Sequence, residues 1–351
     1  MVVTRYQVNP WDKCNPSKQD HRGMKKGLVR HRSSKARSST PVVYASLFGD
    51  LLIVVAKTAA AGWTGSSAMT SEAIHSLVDA GNEVLLLYGI RRSGRRANVE
   101  HPLGYGRELY FWSFIVALLL FALGAAVAVY EGVGNIRRPE PMHDPTVNYV
   151  ALLLAFIIDG WAWLVSLRQF RSAKGELGFY EAFRRSKDPP SFMLFFENSA
   201  ALLGIVVAGL GTFAATALRL PVLDGIASIV IGLILGATAV LLARESKSLL
   251  IGEQADPHLS RSILAIATAE PAVSRANGLL TVQLAPDQIV AALSLEFVDD
   301  LRAPQIEDQV IAIEQKVRAV HPEIVALFVK PQTDRTYQAM RQLRFENQPD
   351  E

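Results

Sequence analysis

Six apolar stretches, each long enough to cross a bilayer as a helix, constrain this chain more than any other feature. They fall at about 42–62, 68–90, 109–133, 147–168, 191–217 and 221–243. A hydrocarbon core needs about 20 helical residues, and every stretch meets that length. Half of the 351 residues are hydrophobic, which is apolar for a soluble protein of this size. The first two stretches are joined by the small, uncharged turn Trp63-Thr64-Gly65-Ser66, and the last two by Arg219-Leu220-Pro221. Connections that short make each pair antiparallel neighbours.

The loops vote on orientation. Residues 1–40 carry ten basic residues, from Arg5 to Arg37, against Asp12 and Asp20. Arg91, Arg92, Arg95 and Arg96 follow the second stretch; Arg168, Arg171, Lys174, Arg184, Arg185 and Lys187 follow the fourth. The loops after the first and fifth are almost uncharged, and Arg137 and Arg138 are the one contrary vote. The positive-inside rule therefore predicts six crossings with both termini in the cytoplasm. The basic start reads as a flexible tail that touches anionic lipid, with an Arg/Ser-rich organellar transit peptide as the other reading. Cys14 is the one cysteine, so neither an intrachain disulfide nor a thiolate metal cage is expected.

Beyond Ala243 the character changes. Residues 244–253 form an amphipathic bridge. Pro257–Ala269 reads as a helix, Val273–Leu284 and Gln288–Val298 as strands around a Pro286-Asp287 turn, Pro304–Val320 as an amphipathic helix and Ile324–Val329 as a last strand. This αββαβ order predicts a small ferredoxin-like α+β domain. The expected organisation is a basic tail (1–40), an all-α six-helix transmembrane bundle (41–245), a cytoplasmic α+β domain (246–331) and a polar, frayed tail (332–351).

Ionisable residues inside the apolar stretches point to function. A charge at membrane depth costs about 2.5–3.5 kcal/mol on insertion scales and faces a wet cavity or a partner. His75 and Asp79 are spaced i, i+4 and project from one helix face. Imidazole and carboxylate together suit a borderline divalent cation such as Zn²⁺. Glu197 and Asn198 lie in the fifth stretch and Asp159 in the middle of the fourth. His75, Asp79 and Glu197 are the candidate metal ligands. Asp159, Asn198 and Asp50 are auxiliary candidates, as ligands or as a proton relay. Asp50 and Asp224 sit at span ends, where a carboxylate can cap a helix or reach water. Lys57 is expected to pair with Asp50 or to snorkel. Groups that bind a metal must first lose protons, which links cation entry to proton exit.

With these residues in place the chain resembles the cation diffusion facilitator family over residues 42–331. Ser71-Glu72-Ala73-Ile74-His75-Ser76-Leu77-Val78-Asp79 resembles that family's metal-site helix. His101-Pro102-Leu103-Gly104-Tyr105-Gly106-Arg107 resembles its signature loop. Tyr105–Trp112 and Glu245–Glu253 are similar to a branch holding an atypical mitochondrial zinc transporter and bacterial relatives. The resemblance implies a homodimeric exporter that swaps Zn²⁺ or a similar ion for protons. The implied site is tetrahedral, built on spans 2 and 5. His75 and Asp79 match the span-2 pair. In span 5, Glu197 stands where the common histidine would be, and Ala201 where the aspartate would be. His101 is kept as a possible loop site, while Tyr105 and Asn98 replace further ligands of some relatives. In the soluble domain His258, His321 and Lys330 imply no binuclear zinc site, leaving that domain as a dimer contact.

The function read from the sequence is therefore divalent-cation efflux by metal/proton antiport. The metal is substrate, not cofactor, with Zn²⁺ first and Mn²⁺, Fe²⁺ and Co²⁺ within range of a site hardened by Glu197. The partners are protons, the bilayer and a second copy of the chain, and no nucleic acid. The membrane is a bacterial inner membrane or, alternatively, the mitochondrial inner membrane. A non-transporting scaffold or metal sensor is the competing class, resting on Ala201. An intramembrane hydrolase is disfavoured, since neither His-Glu-x-x-His nor Gly-x-Ser-x-Gly occurs.

Overall fold

The computed structural model describes residues 40–139, 145–174, 178, 183 and 186–345. The basic segment 1–39 and the end of the polar tail lie outside them. Six long helices come first: α1 (Thr40–Thr64), α2 (Ser67–Ser93), α3 (Glu108–Arg137), α4 (Pro145–Lys174), α5 (Pro189–Ala217) and α6 (Val222–Ile251). Among the described residues, α3 to α6 are long and apolar enough to cross a membrane. The polar residues Glu72, His75, Asp79, Asn82 and Glu83 keep α2 out of that set. Large apolar side chains point away from the protein along the bundle, among them Leu153, Ile157 and Trp161 on α4 and Leu203, Leu210 and Phe213 on α5. So much outward apolar surface suits a lipid solvent, not water.

Local chemistry sets the helix ends. Ser66 caps α2, its Oγ accepting from the Met69 N–H at 3.1 Å. Pro189 and Pro190 open α5, where missing N–H groups cost nothing. Gly252, with φ +118°, stops α6. Here the structure differs from the sequence reading, which ended the last membrane helix near Ala243. The helix runs without a break through Arg244-Glu245-Ser246-Lys247, burying Ser246 and Leu249 on the way.

Helix α6 packs along α3 and α5, α4 lies on α5, and α2 touches α3, α5 and α6. The α3–α6 crossing is close because both sides are glycine there. A Cβ on Gly225 would sit 2.8 Å from the Gly132 carbonyl oxygen. Within α3, residues Leu120–Ala125 are wound as a π-helix, a local change of pitch that periodicity does not reveal.

The C-terminal part holds α7 (Pro257–Thr268), β1 (Val273–Ala285), β2 (Gln288–Phe297), α8 (Ala303–Val320) and β3 (Ile324–Pro331). The three strands form one sheet in the order β1-β2-β3. Leu279 pairs with Leu293 across the antiparallel β1–β2 ladder, and Ala291 with Leu327 across the parallel β2–β3 ladder. Ile263 and Ala267 of α7, Ile313 and Val317 of α8, and Leu293 and Leu295 of β2 share a core. The tail expected to fray instead forms α9 (Asp334–Phe345). Arg275 of β1 pairs with Asp334 at 3.0 Å, and the Asp334 N–H donates to Glu296 Oε2 at 3.0 Å. Tyr337 packs over Gly278, where a side chain would collide with its ring. Tertiary anchors hold a segment that composition alone reads as solvated.

Candidate functional site

Residues 72, 76, 79 and 83 recur at helical spacing and form one polar stripe along α2. The lower part of this stripe faces a small cavity between α1, α2, α4 and α5, of about 30 Å³, room for about two waters. Its wall includes Asp50 from α1, Ser76, Asp79 and Glu83 from α2, Asp159 from α4, and Glu197, Asn198 and Ala201 from α5. Five of these are carboxylates, converging from four helices on one pocket. Such a cluster attracts cations and rejects anions.

The candidate ligands fall as follows. Asp79 and Glu197 face the cavity together. His75 is fully buried just behind Asp79, with Nδ1 3.4 Å from Asp79 Oδ2. Neither ring nitrogen of His75 has a hydrogen-bond partner among the described residues, and neither does Asp79 Oδ1. Buried polar atoms seldom stay unpaired, because each forfeits its solvation. Glu197 is 5% exposed and accepts from Asn82 Nδ2 at 3.3 Å. Among the described residues, no three histidine, cysteine or acidic side chains stand close enough to enclose a metal ion in this conformation. Ala201 is on the wall one turn beyond Glu197 and brings no ligand atom.

All three auxiliary candidates, Asp50, Asp159 and Asn198, line the same cavity. Asp159 lies on the wall with 13% of its side chain exposed. Asn198 reaches the wall too, while its Nδ2 donates to Ser166 Oγ at 2.7 Å, tying α5 to α4. His101 lies elsewhere. It is exposed, stacks on Tyr105 at 4.3 Å between ring centroids, and its backbone N–H donates to Asn98 Oδ1.

Lys57 corrects the sequence reading. It neither snorkels nor makes its contact with Asp50. Its Nζ donates to Glu72 Oε2 and to Ser76 Oγ, both at 2.9 Å, and stands 3.8 Å from Asp159 Oδ2. The sequence reading assigns no role to Glu72, Ser76 or Glu83, although their helical spacing marks the stripe along α2. Asp224 fulfils its structural reading in an unexpected way. Its carboxylate caps α2, accepting from Ser66 Oγ at 2.7 Å, Ser67 N at 2.6 Å and Ala68 N at 3.2 Å. The site helix is thus held at its N-terminus by the first turn of α6.

The chain thus combines a bundle of apolar helices around an acidic cavity with a small three-stranded sheet domain. The chain belongs to the cation efflux family: the model of the cation efflux transmembrane domain matches residues 43–251. It is 29% identical over 238 residues to the proton-coupled zinc antiporter SLC30A9, mitochondrial, of Xenopus laevis, covering 67% of this chain and 42% of that protein. It is 32% identical over 197 residues to metal tolerance protein C4 of Arabidopsis thaliana, covering 55% and 43%. With the cation-efflux pump FieF of Escherichia fergusonii it shares 25% identity over 281 residues, 78% of this chain and 86% of the pump. The matches thus span less than half the length of the first two relatives, and nearly the whole of the third. All three are cation diffusion facilitators, the family that the sequence motifs resemble.

Proposed function

We propose that this chain is a divalent-cation efflux transporter that exchanges a metal ion, Zn²⁺ foremost, for protons by alternating access. The reading has six crossings, both termini in the cytoplasm, and a homodimer that meets through the C-terminal domain. One observation carries it. The buried imidazole of His75, with no hydrogen bond at either nitrogen among the described residues, stands beside Asp79, which shares a polar pocket with Glu197 inside the helical bundle. That donor set is incomplete without a cation or water.

Asp79 and Glu197 attract the ion into the cavity. His75 supplies the softer nitrogen that favours Zn²⁺, Co²⁺ or Ni²⁺ over Mg²⁺ or Ca²⁺. Ala201 leaves the fourth position to water, Asn198 or Asp159, whose place on the same wall supports the compensating role. Closing the ligands around an ion requires α2 and α5 to shift relative to each other, and that shift is the access change itself. Protons held by the site in one state are released when the metal displaces them in the other.

In proteoliposomes with a pH gradient, the wild-type protein should take up Zn²⁺, and His75→Ala and Asp79→Ala should each abolish uptake. Uptake that persists in both variants rules this site out. Comparing Zn²⁺, Mn²⁺, Fe²⁺ and Co²⁺, with Glu197→Ala as control, assigns the metal. The scaffold or sensor reading draws on Ala201 in the cavity wall. A protein that folds but neither transports nor binds a transition metal at micromolar level would turn the choice to a scaffold.

A further inference from the structure

We propose that Lys57 is a tethered counter-ion of the transport cavity: a fixed ammonium that attracts Asp159 when cargo is absent and yields it when a cation enters. This rests on the transport reading above. Lys57 and Glu72 are both fully buried. The ammonium is gripped by Glu72 and Ser76 at hydrogen-bond distance, whereas Asp159 stands at 3.8 Å. Ser76 and Asp159 are also part of the cavity wall, so the ammonium lies directly behind that wall.

The two carboxylates beside Lys57 are not equivalent. Glu72 is not on the wall, and α5 closes over it: a Cβ on Gly204 would run into the Glu72 carboxylate. Glu72 is therefore an anchor, shut off from the cargo. Asp159 opens to the cavity, and its contact with Lys57 is too long for a hydrogen bond. Its acceptor positions remain available to a metal ion, and only an attraction through space has to be overcome. A divalent ion that reaches Asp159 meets a second positive charge already in place. Glu72 balances the ammonium overall, but Glu72 is off the wall and the ammonium faces Asp159. The pair therefore presents its positive end to the cavity, which weakens binding, speeds release and partly offsets the charge of the emptied carboxylate. Lys57 is thus a positioning residue that sets affinity without touching the cargo.

The test uses the full-length protein with Zn²⁺ alone as the probe. Lys57→Met combined with Glu72→Gln removes the anchored pair while keeping its summed charge at zero. Calorimetry should show Zn²⁺ binding at least about fivefold tighter than wild type, the lower range of coupling between sites. Uptake in proteoliposomes should turn over more slowly. The gain in affinity should vanish when Asp159→Asn is added to both backgrounds, and Lys57→Arg should keep wild-type affinity. Unchanged affinity in the double variant, or a gain that survives in Asp159→Asn, overturns the proposal. So does a double variant that fails to fold by size-exclusion chromatography, because the pair is then purely structural. A wild-type protein that neither binds nor moves Zn²⁺ would instead sink the transport reading, which keeps the two failures distinct.

Discussion

At the residue scale the most telling position is one that carries no chemistry. Ala201 lies on the cavity wall one turn from Glu197, and a carboxylate there would face Asp79 and Asp159 across the pocket. Ala201→Asp should tighten Zn²⁺ binding by at least about tenfold, a scale that even an outer-shell partner of a metal site reaches. Calorimetric titration of the purified protein checks this, and an unchanged affinity would mean that the fourth position is not at residue 201. That Asp79, Asp159 and Glu197 gather at one interior cavity, with His75 behind Asp79, is legible in the sequence to the extent that an ionisable group in an apolar run has to face a cavity or a partner. Lys57 did not disclose its partner, because Glu72 is fifteen residues away on the next helix and only the α1–α2 packing brings the two together. Asp224 was equally opaque: its role as the cap of α2 spans 156 to 158 residues.

At the scale of elements, length and hydropathy locate the long helices among the described residues, four of them apolar enough to cross a membrane, since nothing but a helix satisfies the backbone of a 20-residue apolar run in lipid. What they missed is how helices meet and where polar helices form. The α3–α6 crossing depends on Gly132 and Gly225, whose backbones approach too closely for any side chain. Gly225→Leu should force the pair apart and cost about 3 kcal/mol or more, the scale of an overpacked contact. Thermal unfolding of the protein in detergent should show a large loss of stability or no monodisperse protein at all; wild-type stability would mean that the crossing can open freely. The α9 helix escaped notice for the opposite reason. Its sequence is polar, and its stability comes from Arg275, Glu296 and the bare backbone at Gly278, all on strands of another segment.

At the scale of the whole molecule, most loop arginines gather on one side: Arg91, Arg92, Arg95 and Arg96 lie at the α2–α3 end, against Arg137 and Arg138 after α3 and Arg219 at the α5–α6 turn. The proposed orientation puts the first group in the cytoplasm. In a Cys14→Ser background, Arg219→Cys should react with a membrane-impermeant maleimide added outside intact cells, and Arg95→Cys only after permeabilisation. The reverse pattern would invert the direction of transport proposed for this protein. Helix α6 also has a mechanical consequence. It is one continuous rod of 30 residues, about 45 Å long. Its far end grips the start of α2 through Asp224, and just past its near end Glu253 is bonded to Lys187 ahead of α5. A tilt of only about 5° at the base sweeps the tip through about 4 Å, by the geometry of a rigid helix. The small sheet domain thus sits at the short end of a lever whose long end carries the helix that holds the imidazole.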